Sequence, residues 1–243
     1  MSGHNKWSKI QHKKGKADKA RSSLFTKMLR AITLAAQQGG GDIDMNFSLR
    51  LAVERAKAAN MPKDNIERAI KRGTGEDKEG VIFEEIVYEG FGPNGVAILI
   101  ETVTDNKNRT VSEVKHLLSK YGGSMGGPGA VQWQFDHVGS ILFSKDMLKE
   151  KGLDLDELSL ALIDAGAADV KDHGEFVQIL TAKESLKTVL DAVMEAGIEP
   201  EESGLEWMPK ELLDVDDVVR EKIDKLEEAF DENDDVKEMY TNI

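Results

Sequence analysis

Apolar residues in the first third of the chain recur at helical spacing. Between residues 18 and 38 they fall three or four positions apart, on what would be one helix face: Leu24, Met28, Ile32 and Ala35. The same spacing predicts a second helix over 47–59 and a third that begins near Pro62 and ends at Gly73. We therefore expect a bundle of three helices here.

After residue 80 the pattern changes to the period of strands. The segments EEIVYEG and VAILIET flank the turn GPNG and predict a β-hairpin. Thr110 and Glu113 have the spacing of a capping box, so the next helix is predicted to begin there and to end at Gly122. A glycine-rich loop, GGSMGGPG, follows, and AVQWQFD and GSILFS predict a pair of strands.

The pattern from 139 to 209 predicts strand, helix, strand, strand, helix and strand, the order of a split βαβ domain. A helix from Asp214 and a strand, VKEMYTN, follow this domain and do not belong to it. The unit before it, residues 76–137, lacks one helix and one strand compared with the same split βαβ order. We predict that the C-terminal pair completes that unit. The predicted fold is an α+β multidomain chain: a three-helix bundle with a basic arm, then two ferredoxin-like α/β domains, the middle one discontinuous. The predicted domains are 1–75, 76–137 plus 210–243, and 138–209.

The amino-acid composition excludes several kinds of metal and catalytic site. The 243 residues contain no cysteine, which excludes disulfides and thiolate metal sites, and five scattered histidines suggest no metal centre. We expect no cofactor, and the metalloprotease string H-E-x-x-H is not present. No apolar run matches a secretory signal or a membrane span, so we expect a cytoplasmic protein. The acidic run at 231–235 lacks the glycine and glutamate of a calcium-binding EF-hand loop and is interpreted as a solvated helix end.

Charge is segregated along the sequence. Residues 1–30 hold nine Lys or Arg and one acid, and residues 1–75 hold sixteen basic and six acidic side chains. The remaining residues hold sixteen basic and thirty-nine acidic side chains. Phosphate contacts are made by local clusters, so the N-terminal region is predicted to bind nucleic acid despite the net charge of −13. The acidic remainder would orient the molecule arm-first on a polyanion.

Three sets of candidate contact residues follow. The arm and first helix offer long cations with an aromatic ring and an imidazole that suit phosphates and stacked bases, the alternative being a solvated charged face: Lys6, Trp7, Lys9, His12, Lys13, Lys14, Lys16, Arg21, Lys27 and Arg30. The third helix carries Arg68, Lys71 and Arg72, which fit a helix-turn-helix or an ordinary salt-bridged surface, with Asp64 and Glu67 near the same face. The last set lies at the predicted start of the helix after the hairpin: Asn106, Lys107, Asn108 and Arg109. These residues could bind phosphate at the helix N-terminus, or they could serve only as turn and cap residues.

The glycine-rich loop at 122–129 permits positive φ and close backbone approach. It lacks the Lys-Ser/Thr ending of a P-loop, and no helix follows it, so nucleotide triphosphate binding is not expected. Two interpretations stay open. The loop is either a tight connection between strands or a finger that reaches an RNA or peptide end in a confined site.

Several segments together resemble the YebC family: GHNKW, SLFTKMLRAIT, NMPKDNIERAIKRGTGE, YEGFGPNG, TDNKNRTVSEVKH and GGSMGGPGAV. That family includes bacterial probable transcriptional regulatory proteins and the mitochondrial translational activator of cytochrome c oxidase. The resemblance implies three domains and no enzymatic activity. It also implies either DNA-binding transcriptional control or binding to the ribosome, easing the synthesis of difficult stretches such as consecutive prolines.

The leading hypothesis is a non-enzymatic translation factor that binds ribosomal RNA through its arm and first domain. The runner-up is a DNA-binding transcriptional regulator, and an enzyme with an unrecognised acidic site is a distant third. DNA regulators usually pair half-sites by dimerising, whereas this sequence shows no heptad or evident dimer element. A monomer on one ribosomal site is therefore favoured, with no membrane partner expected.

Overall fold

A computed structural model describes residues 18–76 and 80–243 of the chain, with side chains described from residue 23 onward. One compact unit combines the described residues up to Phe135 with Pro209–Ile243, and the second comprises Asp136–Met208. The elements in chain order are α1 (Asp18–Gly39), α2 (Phe47–Ala58), α3 (Lys63–Gly73), β1 (Glu84–Phe91), β2 (Ala97–Thr104), α4 (Lys107–Lys120), β3 (Ser124–Met125), β4 (Phe135–Ser144), α5 (Asp146–Lys151), α6 (Leu155–Asp164), β5 (Ala167–Asp172), β6 (Phe176–Thr181), α7 (Leu186–Glu195), β7 (Glu202–Pro209), α8 (Asp217–Asp231) and β8 (Val236–Thr241).

Helices α1, α2 and α3 form the predicted bundle around a small apolar core. Its fully or nearly fully buried members include Ile32, Leu49, Val53, Ala56, Ile66 and Ala69. Asn46 links two of the helices: its side-chain oxygen accepts from the Leu49 N–H at 3.1 Å, and its amide donates to the Ala35 carbonyl at 2.8 Å. One side chain thus caps α2 and fixes it to the end of α1.

Helices α1 and α3 meet closely at Gly73. A Cβ at this position would lie 2.3 Å from the Thr33 carbonyl oxygen and 2.7 Å from the Ala36 Cβ. No side chain fits there without displacing α1 backbone, so glycine sets the approach of the two helices.

The first sheet has the strand order β3-β1-β2-β8. Strands β1 and β2 form the predicted hairpin, in register from Glu84↔Thr104 to Phe91↔Ala97. Strand β8 pairs with β2, so the C-terminal helix and strand do return to this sheet, and the middle domain is discontinuous as predicted. Side chains of α4 and α8 pack on one face of the sheet, with buried contacts from Ile98, Ile100, Val114, Leu118, Ile223, Leu226 and Phe230.

The second sheet lies in the unit Asp136–Met208 and has the order β5-β6-β4-β7. Strands β4 and β5 are joined through α5 and α6, and β6 lies between them, antiparallel to both. This is the split βαβ arrangement, and the predicted fold class is confirmed. The finer domain limits near residues 75 and 137 stay predictions.

Two local predictions are wrong. Helix α4 begins at Lys107 instead of Thr110, because Asn106 takes the cap position and accepts from the Arg109 N–H at 3.1 Å. The segments AVQWQFD and GSILFS do not form two strands, because a 3₁₀ turn at Gln132–Gln134 leads into the single strand β4.

Replacing Gly73 by Ala should lower the thermal unfolding midpoint, because the added methyl group forces α1 and α3 apart. Overpacking of this kind costs about 1–3 kcal/mol. The matched control is Gly127→Ala, since a Cβ at Gly127 has no atom within 4 Å and the backbone φ there is not positive. Equal midpoints for the two variants would show that the close approach at Gly73 does not matter.

Candidate nucleic-acid interface

Most of the predicted arm contacts lie outside the described residues: Lys6, Trp7, Lys9, His12, Lys13, Lys14 and Lys16. Arg21 belongs to α1, but its side chain is also outside the described part. The proposed contacts that the structure does describe are those of α1 from Lys27 onward, of α3 and of the start of α4.

Lys27 and Arg30 lie on the face of α1 that meets the first sheet and the loop after α8. The Lys27 ammonium donates to the Phe230 carbonyl at 3.3 Å. The Arg30 guanidinium donates to the Val103 carbonyl at 3.2 Å, pairs with the Asp235 carboxylate and lies 5.6 Å from the centre of the Phe83 ring. Both cations therefore have partners within the molecule.

Asp235 is the centre of this polar cluster. The residue is only 3% exposed, yet it lies in the acidic run interpreted from sequence as a solvated helix end, so that interpretation is wrong for this position. Its carboxylate accepts from Arg109 Nε at 3.0 Å and Nη2 at 2.8 Å, and from Thr110 Oγ1 at 2.7 Å. Its carbonyl accepts from the Val103 N–H at 2.8 Å. Arg30 of α1 and Arg109 of α4 thus share one buried carboxylate.

The electrostatics of the cluster follow from these contacts. Burial raises the pKa of Asp235, but hydrogen bonds from Arg30, Thr110 and Arg109 favour the carboxylate more strongly, so the pKa lies below its ordinary value. The hydrogen bonds of Arg109 to Asp235 and Asp105 raise the pKa of the guanidinium. At neutral pH the cluster holds two cations against two carboxylates and has little free charge for a ligand.

The remaining candidates at the start of α4 are exposed. Asn106 is occupied as the helix cap, whereas the side chain of Asn108 is open to solvent. Lys107 pairs with Glu84 at 2.6 Å, and both side chains are more than half exposed. Exposed ion pairs of this kind contribute little to the stability of the fold. A phosphate can therefore replace Glu84 as the partner of Lys107 at a small cost in free energy.

Helix α3 presents Arg68 and Lys71 to solvent, and Arg72 is half-buried. Ile66 and Ala69 lie inward, as the helical pattern predicts. Acidic side chains share the exposed surface, because Asp64 and Glu67 are also exposed and Glu67 pairs with Lys63 at 3.4 Å. The helix therefore offers a surface of mixed charge.

The glycine-rich loop is fixed by Glu89, a residue that the sequence did not single out. Its carboxylate is 5% exposed and accepts from the N–H groups of Val131 at 2.7 Å, Gln132 at 2.8 Å and Gly129. Burial raises the pKa of Glu89, but the three backbone hydrogen bonds together lower it by more than burial raises it. The net pKa is therefore below its ordinary value. The Gly126 N–H also bonds to the Glu89 carbonyl at 2.8 Å, so the loop is anchored along its length.

Two negative findings apply to residues 18–76 and 80–243. No group of three or more His, Asp or Glu side chains is arranged there to hold a metal ion. None of the helices in these ranges is long and apolar enough to cross a membrane.

Fold and site together define an α+β protein with a helical N-terminal region, two four-stranded sheets and a buried ion cluster between α1 and the first sheet. The model of the TACO1/YebC N-terminal domain matches residues 5–76, and the model of the TACO1/YebC second and third domain matches residues 83–243. The chain belongs to the TACO1/YebC family, as its sequence segments indicate.

Curated relatives agree over the full length. A protein of Thermotoga maritima named probable transcriptional regulatory protein is 50% identical over 100% of this chain and 93% of its own length. A protein of Desulfosudis oleivorans with the same name is 49% identical, over 100% of this chain and 96% of its own. The crystal structure of a conserved hypothetical protein from Aquifex aeolicus is similar with a TM-score of 0.86, at 40% identity, covering 98% of this chain and 96% of that one.

Replacing Asp235 by Asn should destabilise the first compact unit, because it leaves two partly buried guanidinium groups without their anion. Breaking a buried pair costs about 3–5 kcal/mol, and since Arg109 is 40% exposed we expect about 2–3 kcal/mol. Thermal unfolding measures the effect. Asp234→Asn is the matched control, because Asp234 is exposed and, among the described residues, its carboxylate accepts a hydrogen bond from the Ser23 hydroxyl at 3.0 Å that the Asn side-chain oxygen can also accept. A similar loss in both variants would contradict the central role of Asp235.

Acid should remove the same stabilisation. The folded-state pKa of Asp235 lies below the ordinary Asp value of about 3.9, so its contribution is complete above that pH and is lost as the pH falls through the folded-state pKa. The difference in unfolding midpoint between the parent and Asp235→Asn should be constant from neutral pH down to about pH 5 and shrink below about pH 4. Glu89 titrates equally in both proteins and cancels from the difference.

Proposed function

We propose that this protein is a non-enzymatic, nucleic-acid-binding regulator of gene expression whose target is ribosomal RNA. The main support for this proposal is the segregation of charge along the sequence. Residues 1–30 hold nine basic side chains and one acid, while residues beyond 75 hold thirty-nine acidic and sixteen basic side chains. Counterion release is counted contact by contact, so a local cluster binds a polyanion even in an acidic chain.

The described contacts support a division of labour among the cations. Arg30 and Arg109 are committed to Asp235 and act as internal supports for α1 and α4. Arg68, Lys71 and Lys107 are exposed and can join the arm in binding phosphates. Because Lys27 and Arg30 tie α1 to the first sheet, the helix that follows the arm has a fixed place on the α+β body.

The mixed charge on the surface of α3 does not suit a recognition helix that lies in the major groove of DNA. As a recognition helix, α3 would bring the carboxylates of Asp64 and Glu67 near DNA phosphates together with Arg68 and Lys71, and like charges repel. A monomer suffices for one ribosomal site, whereas DNA half-sites usually require a dimer. We propose a cytoplasmic monomer that eases synthesis of difficult stretches such as consecutive prolines, one of the two roles that the family resemblance implies.

A DNA-binding transcriptional regulator is the second candidate. The names of the Thermotoga and Desulfosudis relatives favour it. It would use the same basic region, so electrostatics alone do not separate the two functions.

Co-sedimentation with 70S ribosomes in the presence of excess duplex DNA separates them. At about 150 mM salt, nonspecific polyanion binding is strongly weakened, so we expect the purified chain to sediment with ribosomes despite the competitor. Complete loss to the DNA would contradict the ribosomal target and favour the transcriptional role.

Replacing Lys13, Lys14 and Lys16 by Glu should sharply weaken ribosome binding without lowering the unfolding midpoint. If all three side chains contact phosphates, the plot of log affinity against log salt should become shallower, its slope losing roughly 2 to 3 in magnitude. The control with the same change in net charge replaces Lys115, Lys151 and Lys187, all exposed and outside the basic region. Equal weakening by both triple variants would show that overall charge acts, and not the arm.

A further inference from the structure

Nothing among the described residues requires a glycine at position 127. The other four glycines of the loop are required: Gly122 and Gly129 have φ of 84° and 79°, and a Cβ on Gly123 or Gly126 would lie 2.4 Å or 2.8 Å from another atom. At Gly127 the φ is not positive, and an added Cβ would meet nothing within 4 Å. The absence of a side chain leaves the backbone open to something outside the chain.

The backbone of Gly127 also has a free donor. Its carbonyl accepts from the Ala130 N–H at 3.1 Å, but its own N–H makes no hydrogen bond to any described residue. The residue is exposed, so an acceptor oxygen of a ligand can reach this N–H.

Trp133 lies six positions further along the chain, in the 3₁₀ turn that follows the glycine-rich loop, and is 68% exposed. Its indole N–H donates to the Ala130 carbonyl at 3.2 Å, which fixes the ring against its own backbone and leaves it largely in solvent. An indole this exposed contributes little to any core. It does offer an aromatic surface on which a flat group can stack.

Glu89 holds these two features in place. It accepts from three N–H groups between Gly127 and Trp133 and keeps the loop on strand β1. Burying a carboxylate for this purpose is costly unless it is well hydrogen-bonded, as it is here. The open backbone and the exposed indole are therefore preorganised before any partner binds, which lowers the entropy cost of binding.

We propose that this loop binds one unpaired nucleotide of the target nucleic acid, with the base stacked on Trp133 and a ribose or phosphate oxygen accepting from the Gly127 N–H. The inference rests on the proposed function and adds a second contact, distinct from the arm. Stacking needs no cation, so it suits the acidic region beyond residue 75. A duplex keeps its bases stacked internally, so the site selects single-stranded segments.

The test measures binding of the full chain to a fluorescein-labelled single-stranded RNA of about 12 nucleotides, a length within the site sizes of single-strand binders. Trp133→Ala should weaken binding roughly 5- to 150-fold with an unchanged salt slope, because stacking releases no counterions. Trp133→Phe should restore most of the affinity. Gly127→Ala should weaken binding without lowering the unfolding midpoint, and binding to a blunt RNA duplex of equal length should stay the same in all three.

Leu160→Ala is the control, because Leu160 is 67% exposed and lies outside the loop. Unchanged single-strand affinity in Trp133→Ala, with loss in the Lys13, Lys14 and Lys16 triple variant, would overturn the loop site and leave the proposed function intact. Equal loss for single-stranded and duplex RNA would also overturn it. No binding of either RNA by the parent would instead contradict the proposed function.

Discussion

The ion cluster at Asp235 is the interaction on which the arrangement of the first compact unit depends. One buried carboxylate accepts from Arg30 of α1 and from Arg109 and Thr110 of α4, while its backbone bonds to Val103 at the end of β2. A buried charge is tolerated only when it is paired and hydrogen-bonded, so each partner depends on the others. This dependence couples the helical bundle to the sheet and fixes where the helix after the basic arm lies.

The cluster also changes the meaning of the basic residues around it. By charge alone, Arg30 and Arg109 resemble Lys107 or Arg68, yet two of these four stabilise the fold and two face solvent. Glu89 acts in the same way at the glycine-rich loop, where a buried carboxylate organises backbone N–H groups in place of guanidinium groups. In both cases an acidic side chain sets the geometry, and the groups proposed to bind nucleic acid stay at the surface.

The hydrophobic pattern was sufficient to predict the helices of the bundle and the β1–β2 hairpin, because these elements have strong periodicity and clear turn residues. The return of β8 was predicted because the middle unit lacked one helix and one strand. It failed where a single polar residue decides the outcome. Asn106 outcompetes Thr110 as the cap of α4, and a 3₁₀ turn takes Trp133 out of the predicted strand. Asp235 was missed because Arg109 and Arg30 lie 126 and 205 residues away from it in sequence. Glu89 was missed because the N–H groups that it binds lie 40 to 43 residues away. Spacing carries no information about such pairs. The predicted return of β8 beside β2 could have placed Asp235 near Arg109, because Asp235 directly precedes β8 and Arg109 follows β2.

The most direct test of the account is photo-crosslinking of the full chain bound to 70S ribosomes, followed by identification of the peptides attached to RNA. We expect RNA adducts in peptides from residues 1–30, with a further adduct at Trp133 in the 3₁₀ turn after the glycine-rich loop. Adducts confined to the acidic unit Asp136–Met208, with none in the basic segment, would contradict the claim that the N-terminal region is the nucleic-acid-binding surface.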